Sequence, residues 1–170
     1  VGMTVPWELY CQYGDRSVLT EHYEAMKRYA DYLETCVGSD GTISEHTILE
    51  LGDWLGPENS HNDVGFLLAT YELYDLDIMT RTAIVMNQTG DAKKYSSLYE
   101  TRKKWFNHHY IDPTTHRTLN AKGEKMDTQT SYAVPLALGA FDEAERPYAV
   151  RYLAEACQRE NWDDKKIKRP

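Results

Sequence analysis

DVGFLLATYELYDLDIMTRTAIVMNQTGDAKKYSSLYETRKKWFNHHY, residues 63–110, holds the pattern that decides the fold. Leu67, Tyr71, Tyr74, Ile78 and the run at 83–86 make a wide apolar face at helical spacing, and Asp63 stands where an N-cap belongs. The expected helix covers 63–89 and is largely buried. Gly90 closes it and Asp91 caps the next helix, in which Tyr95, Leu98, Arg102, Trp105 and His109 share a face with Phe106 beside it. So short a hinge makes the two helices antiparallel neighbours.

The same pattern extends in both directions. Over 15–37, Leu19, Tyr23, Met26, Ala30, Leu33 and Val37 form one stripe, with Asp15 or Ser17 able to cap its start and Gly38 its end. TQTSYAVPLALGAF at 128–141 reads as a short helix capped by Asp127 or Thr128, with Pro135 kinking it or marking its early part. A further helix starts near Glu143 or Arg146, with Pro147 suited to its first turn. Its stripe is Tyr148, Tyr152, Leu153 and Ala156, and the charged tail after it is expected to fray. Residues 38–62 and 111–127 are long connections, so short and long links alternate. Long links gathered at one end of a helical array make a rim on which a site can be built. A strand is conceivable only in ISEHTILEL, 43–51.

The bulk numbers narrow the function. At 170 residues, 41% hydrophobic and 27% charged, the chain is an ordinary globular one with room for a core. A net charge of −8 repels a phosphate backbone and argues against a nucleic-acid partner. No apolar run is long enough to span a membrane. Cys11, Cys36 and Cys157 are odd in number and far apart, and read as buried free thiols. His108 and His109 are adjacent and point apart on a helix, while His22, His46, His61 and His116 have no partner at chelating spacing, so no metal is expected. GxSxG, P-loop and GxGxxG motifs are absent, which removes the usual anchors for serine-nucleophile, nucleotide-hydrolysing and dinucleotide-binding chemistry.

Carboxylates and aromatic rings remain. Thirteen Tyr and four Trp stand against three Phe, a bias that suits both sugar stacking and the interior of a helical array. Glycosidic cleavage needs two carboxylates across the scissile bond, and the first long connection offers Asp40, Glu45, Glu50, Asp53 and Glu58. Asp53 stands out in GDWLG, 52–56, where Trp54 follows it and Gly52 and Gly56 flank the pair. The glycines permit a tight turn. Composition alone favours the plainer role, in which Trp54 plugs the end of a hairpin and Asp53 caps a turn.

PWELYCQYGD at 6–15, the Leu19/Tyr23/Met26/Leu33 helix, GDWL at 52–55, the hairpin at Gly90-Asp91 and DTQTSYAVPLALG at 127–139 follow in this order. Together they resemble the catalytic domain of bacterial α-L-rhamnosidases of glycoside hydrolase family 78. The resemblance implies an all-α fold of consecutive antiparallel helical hairpins, part of an (α/α)6 toroid. It implies that residues 1–170 are a piece of one catalytic domain, incomplete at both ends, whose partner is the remainder of that domain. It also implies a rhamnoside substrate, inversion at the anomeric centre, no cofactor, and Trp54 as a wall of the sugar pocket with Asp53 beside it. The family's general acid and general base fall outside the matching stretch, so no catalytic residue is expected within it. Another toroid glycosidase or lyase and a non-enzymatic helical-repeat scaffold are the alternatives. The scaffold would need a repeat of fixed period, and none recurs here.

Overall fold

The computed structural model describes residues 2–43 and 63–159. Its helices are α1 Thr4–Tyr13, α2 Ser17–Thr35, α3 Val64–Val85, α4 Thr89–Tyr110, α5 Gln129–Leu138 and α6 Arg146–Gln158. Among the described residues, extended pairing is confined to isolated bridges in the connections. The helices pair in sequence as α1 with α2, α3 with α4 and α5 with α6. The all-α hairpin architecture expected from the periodicity is therefore what forms.

α3 is the central element, in contact with α1, α2, α4 and α5. Phe66, Ala69, Leu73, Leu76, Ile78, Met79 and Ala83 are buried along it, so the helix is apolar on nearly every side. Its Phe66 meets Phe106 and Tyr110 of α4 at ring separations of 5.3 and 5.2 Å, and these join Tyr132 and Phe141 in the main core. Each such side chain, fully buried, contributes about 1.5–3 kcal/mol. Phe66 against Phe106 and Glu72 against Arg102 show that α3 and α4 run antiparallel. Asp91 receives bonds from Tyr23 and Lys27, and Asp31 from Tyr95 and Lys94, so α2 and α4 run parallel.

Several boundaries differ from those read in the sequence. α3 stops at Val85, and Asn87 rather than Gly90 takes the left-handed conformation, at φ +59°. Gly90 and Asp91 belong to the first turn of α4. Asp91 is not the cap because Tyr23 and Lys27 engage its carboxylate from α2. The buried face of α4 is Tyr95, Arg102, Phe106 and Tyr110, while Trp105 and His109 lie half-buried and stack on each other. Tyr71 of α3, expected inside, is exposed. Of the three free thiols only Cys36 is buried, and Cys11 and Cys157 are exposed. α1 was not separated as a helix by periodicity; Pro6 fits its first turn, and Gly14 ends it at φ +69°. α5 is capped by Thr128 through a reciprocal box with Ser131, with Pro135 in its later half, and α6 begins with Pro147 in its first turn.

A buried ion pair joins the central hairpin. Arg102 Nε donates to both carboxylate oxygens of Glu72 at 2.8 Å, and Nη2 lies 2.7 Å from Oε2, out of line for a hydrogen bond. Burial pushes the Glu72 carboxyl above its usual range, against the pull of Arg102. Removing one partner strands a charge. Arg102→Met is expected to cost about 3–5 kcal/mol in denaturant unfolding, and Glu72→Leu combined with it to recover much of that loss. A double variant as unstable as the sum of its parts would show that the two groups act independently.

Candidate functional site

The ends of the helices decide where a site is possible. Arg16 Nη2 donates to Val85 O at 2.7 Å, which brings the short links 14–16 and 86–88 to one end. Since α2 and α4 are parallel, both long connections leave from the opposite end. They meet there: Asp63 Oδ1 caps α3 through Phe66 N at 2.8 Å, and its Oδ2 accepts from Ala121 N of the second connection at 3.3 Å. The rim inferred from loop lengths thus has a physical seam.

The first connection starts in a tight turn. Val37 and Ile43 bridge, Gly38 N donates to Thr42 O at 2.7 Å, and Asp40 Oδ1 accepts from the Thr42 amide and hydroxyl. Those bonds hold the Asp40 carboxyl below its usual range. Two side chains of α4 grip this turn. Trp105 Nε1 donates to Asp40 O at 3.1 Å and Arg102 Nη1 to Gly41 O at 2.9 Å. The Trp105 ring is sandwiched by the Arg102 guanidinium, 4.5 Å from its centroid, and by His109, 4.7 Å away and near-parallel. Gly41 is at φ +84°, and a Cβ there would lie 2.3 Å from Trp105 Nε1. His109 Nε2 and Tyr110 Oη are buried with no hydrogen-bond partner, and burial raises the Tyr110 hydroxyl pKa. His108 turns elsewhere and lines an open groove of about 370 Å³ with Lys104 and Asp142.

The second connection is ordered by pairing and charge. Ile111 bridges Thr118 and Leu119 bridges Lys125, with a turn at Gly123, φ +77°. Asp127 closes it from a left-handed conformation, φ +55°, and is almost fully buried. Burial pushes its carboxyl up, but hydrogen bonds from Lys125, Tyr132 and Arg117 outweigh this and hold it below the usual range. Thr118 Oγ1 meets Ser131 Oγ at 2.7 Å, tying the loop to the α5 cap.

Residues 1–164 match the model of the bacterial alpha-L-rhamnosidase 6 hairpin glycosidase domain. The chain belongs to that family. It is 30% identical over 162 residues to an alpha-L-rhamnosidase of Streptomyces avermitilis, covering 95% of this chain and 14% of that protein. An alpha-L-rhamnosidase of Alteromonas sp. (strain LOR) is 26% identical, over 91% of this chain and 17% of its own length. The crystal structure of the Streptomyces avermitilis enzyme complexed with L-rhamnose superposes at TM-score 0.74 and 28% identity, covering 91% of this chain and 14% of that one. That of Dictyoglumus thermophilum alpha-L-rhamnosidase does so at 0.76 and 27%, over 90% and 17%. The chain therefore spans about a sixth of the relatives it matches.

Within this glycosidase-domain chain, Asp53 and Trp54 lie outside the described residues, as do Glu45, Glu50 and Glu58. Asp40 is described, and its carboxylate is used within its own turn. No group of three His, Cys, Asp or Glu among the described residues is placed to hold a metal ion. The residues that sequence reasoning missed are the ones that fix the two ends of the GDWLG connection: Gly41, Arg102, Trp105 and the second oxygen of Asp63. One signal was available, since Arg102 stands in an otherwise apolar stripe and such a charge demands a partner.

Two expectations follow from these pins. Gly41→Ala meets both the left-handed backbone and the indole, and lowers stability by at least about 1–2 kcal/mol with a shift in tryptophan emission. An unchanged melt and spectrum would show that the turn moves freely. Asp127→Asn keeps a residue that tolerates the left-handed backbone but removes the charge and replaces one acceptor oxygen, which serves Arg117, Tyr132 or Lys125, by an amide donor. A depressed carboxyl stabilises above its unfolded value of about 3.8 and loses that contribution as pH falls through the folded value. The variant is therefore less stable near pH 7, by about 2 kcal/mol, and the difference narrows in parallel melts only as pH falls below 3.8 through the folded value.

Proposed function

We propose that this chain is part of the catalytic domain of an inverting α-L-rhamnosidase, to which it contributes the sugar-facing GDWLG connection and not the acid or base. The observation that carries the reading is the gathering of both long connections at one end, with residues 40, 41 and 63 fixed by side chains at either side of GDWLG. Membership of the glycosidase-domain family supports it, as does the L-rhamnose named for the Streptomyces avermitilis structure. In this reading Trp54 stacks on a sugar ring, with Asp53 accepting from a hydroxyl or bracing the loop. Inversion requires a water between two carboxyl groups roughly 6.5–9.5 Å apart, and in this reading the rest of the domain supplies both. The remainder of that domain is then the chain's partner.

The test is Trp54→Ala in the full-length enzyme. Loss of stacking weakens binding and lowers kcat/KM on an aryl α-L-rhamnoside by about 1–3 kcal/mol, with Tm nearly unchanged. A lower Tm with kcat/KM intact would assign Trp54 to packing instead. Residues 1–170 alone are expected to release no rhamnose.

A further inference from the structure

A recess lies on another side of α4 from the pins of the first connection. Lys104, His108, Ile111, Pro113, Asp142 and Glu145 surround an open groove of about 370 Å³. Small-molecule sites are usually roughly 300–1,000 Å³. One wall belongs to α4 and the start of the second connection, the other to the link between α5 and α6. At about 100° per residue, positions 104 and 108 are turned away from Trp105 and His109, the stacked pair beside the turn at 40–41. The groove is therefore separate from the GDWLG connection's supports.

Its walls are held in place. Asn107 donates to Ala140 O at 2.9 Å and accepts from Asp142 N at 3.0 Å, which fixes the α5–α6 link against α4. Phe141 of that link is buried against Phe106. Asp112 accepts from the amides of Thr114 and Thr115 and so sets the turn that carries Pro113. Glu145 meets His116 Nδ1 at 2.9 Å, and the His116 ring stacks on Tyr148 at 3.8 Å. Three lining side chains take no part in this. The half-buried Asp142 carboxylate makes no hydrogen bond or ion pair among the described residues, so its donors come from solvent or a ligand. Burial pushes that carboxyl above its usual range, with Lys103 and Lys104 pulling it back and Glu145 adding to the rise. Lys104 and His108 are exposed, and their side chains likewise bond to nothing among the described residues.

We propose that this groove is a non-catalytic binding site for a neutral sugar unit of a glycan chain. Asp142 accepts from its hydroxyls, Lys104 donates to them, and Ile111 with Pro113 packs on a C–H or methyl face. The chemistry selects that class. An acceptor and a donor standing ready across one groove match neighbouring hydroxyls, each of which gives and takes a hydrogen bond. Two carboxylates on the same wall repel a phosphate or other anion. Among the described residues no group of three His, Cys, Asp or Glu is placed to hold a metal ion, so a bare cation does not fit either. An apolar patch with a few placed polar groups is the usual make-up of a small-molecule site. A sugar held here keeps a glycan on the protein away from the bond being cut. The inference rests on the reading of the chain as part of a rhamnosidase domain.

Affinity electrophoresis of the full-length protein, through gels holding a soluble polysaccharide rich in L-rhamnosyl units, tests the site. The wild type is expected to slow as polysaccharide is added. Asp142→Ala and Lys104→Ala are each expected to weaken that retention by about threefold or more in apparent Kd. On an aryl α-L-rhamnoside, which carries no glycan chain, kcat/KM is expected to stay within about twofold of the wild type. Retention unchanged in both variants would overturn the proposal. So would retention and kcat/KM falling together, because the groove would then belong to the catalytic cleft. Should Asp142→Ala melt early, the exposed Lys104→Ala still decides the matter. Hydrolysis by a protein that the gel does not retain sinks this inference alone. Retention that the variants lose, in a protein that releases no rhamnose, sinks the proposed function alone.

Discussion

The guanidinium of Arg102 is the constraint on which the central hairpin and its rim both depend. A charge at that depth is tolerable only when it is paired and most of its donors are engaged. Glu72 engages Nε and sets the register of α3 against α4. Gly41 O takes Nη1 and holds the turn that follows α2. The flat face of the same group lies over Trp105, whose indole N–H secures Asp40 O. One side chain thus links α3, α4 and the start of the long connection that follows α2. A lysine could offer the charge but neither the fork of donors nor the stacking plane.

Acidic side chains do the corresponding work at the other fixed points of the rim. Asp63 uses one oxygen to cap α3 and the other to hold the second connection, so a helix N-terminus doubles as a joint between loops. Asp127 gathers Arg117, Lys125 and the Tyr132 hydroxyl around one buried carboxylate. Both exploit the same asymmetry: a carboxylate has several acceptor sites, and low dielectric strengthens every bond that fills them. The short-link end has fewer such devices because three-residue turns need little to define them.

Periodicity made the helices legible, and it failed where a tertiary contact outweighed a local signal. Gly90 looked like the stop of α3, yet Lys27 and Tyr23 hold Asp91 from α2, and Asn87 takes the left-handed position. The sequence puts Trp105 and His109 on one face of α4 with Tyr95, Leu98 and Arg102, and Phe106 beside it. Those two rings sit at the margin of the buried face, where they satisfy each other and Phe106 and Tyr110 go inside. α1 was hidden because its apolar residues do not follow one inward stripe: Val5, Leu9 and Tyr13 point away from the core. At the rim, the long connections could be read from their glycines and prolines. Their pins could not, since a cross-helix pair such as Glu72 with Arg102, or the approach of Gly41 to Trp105, leaves no periodic trace in either segment.

The contrast between α3 and α1 explains why this fold is built as a ring of hairpins. α3 has neighbours on both flanks and behind, and its sequence is apolar nearly all round. α1 touches only α2 and α3 among the described helices, yet it too carries apolar residues beyond the side they cover. A helix designed for the edge of a free-standing layer would show charge there instead. The excess of apolar surface on α1 is therefore the same property that α3 has, on a helix with fewer neighbours among the described residues. In such an array each hairpin relies on the next to cover its flank, and a closed ring is the arrangement that leaves no flank uncovered.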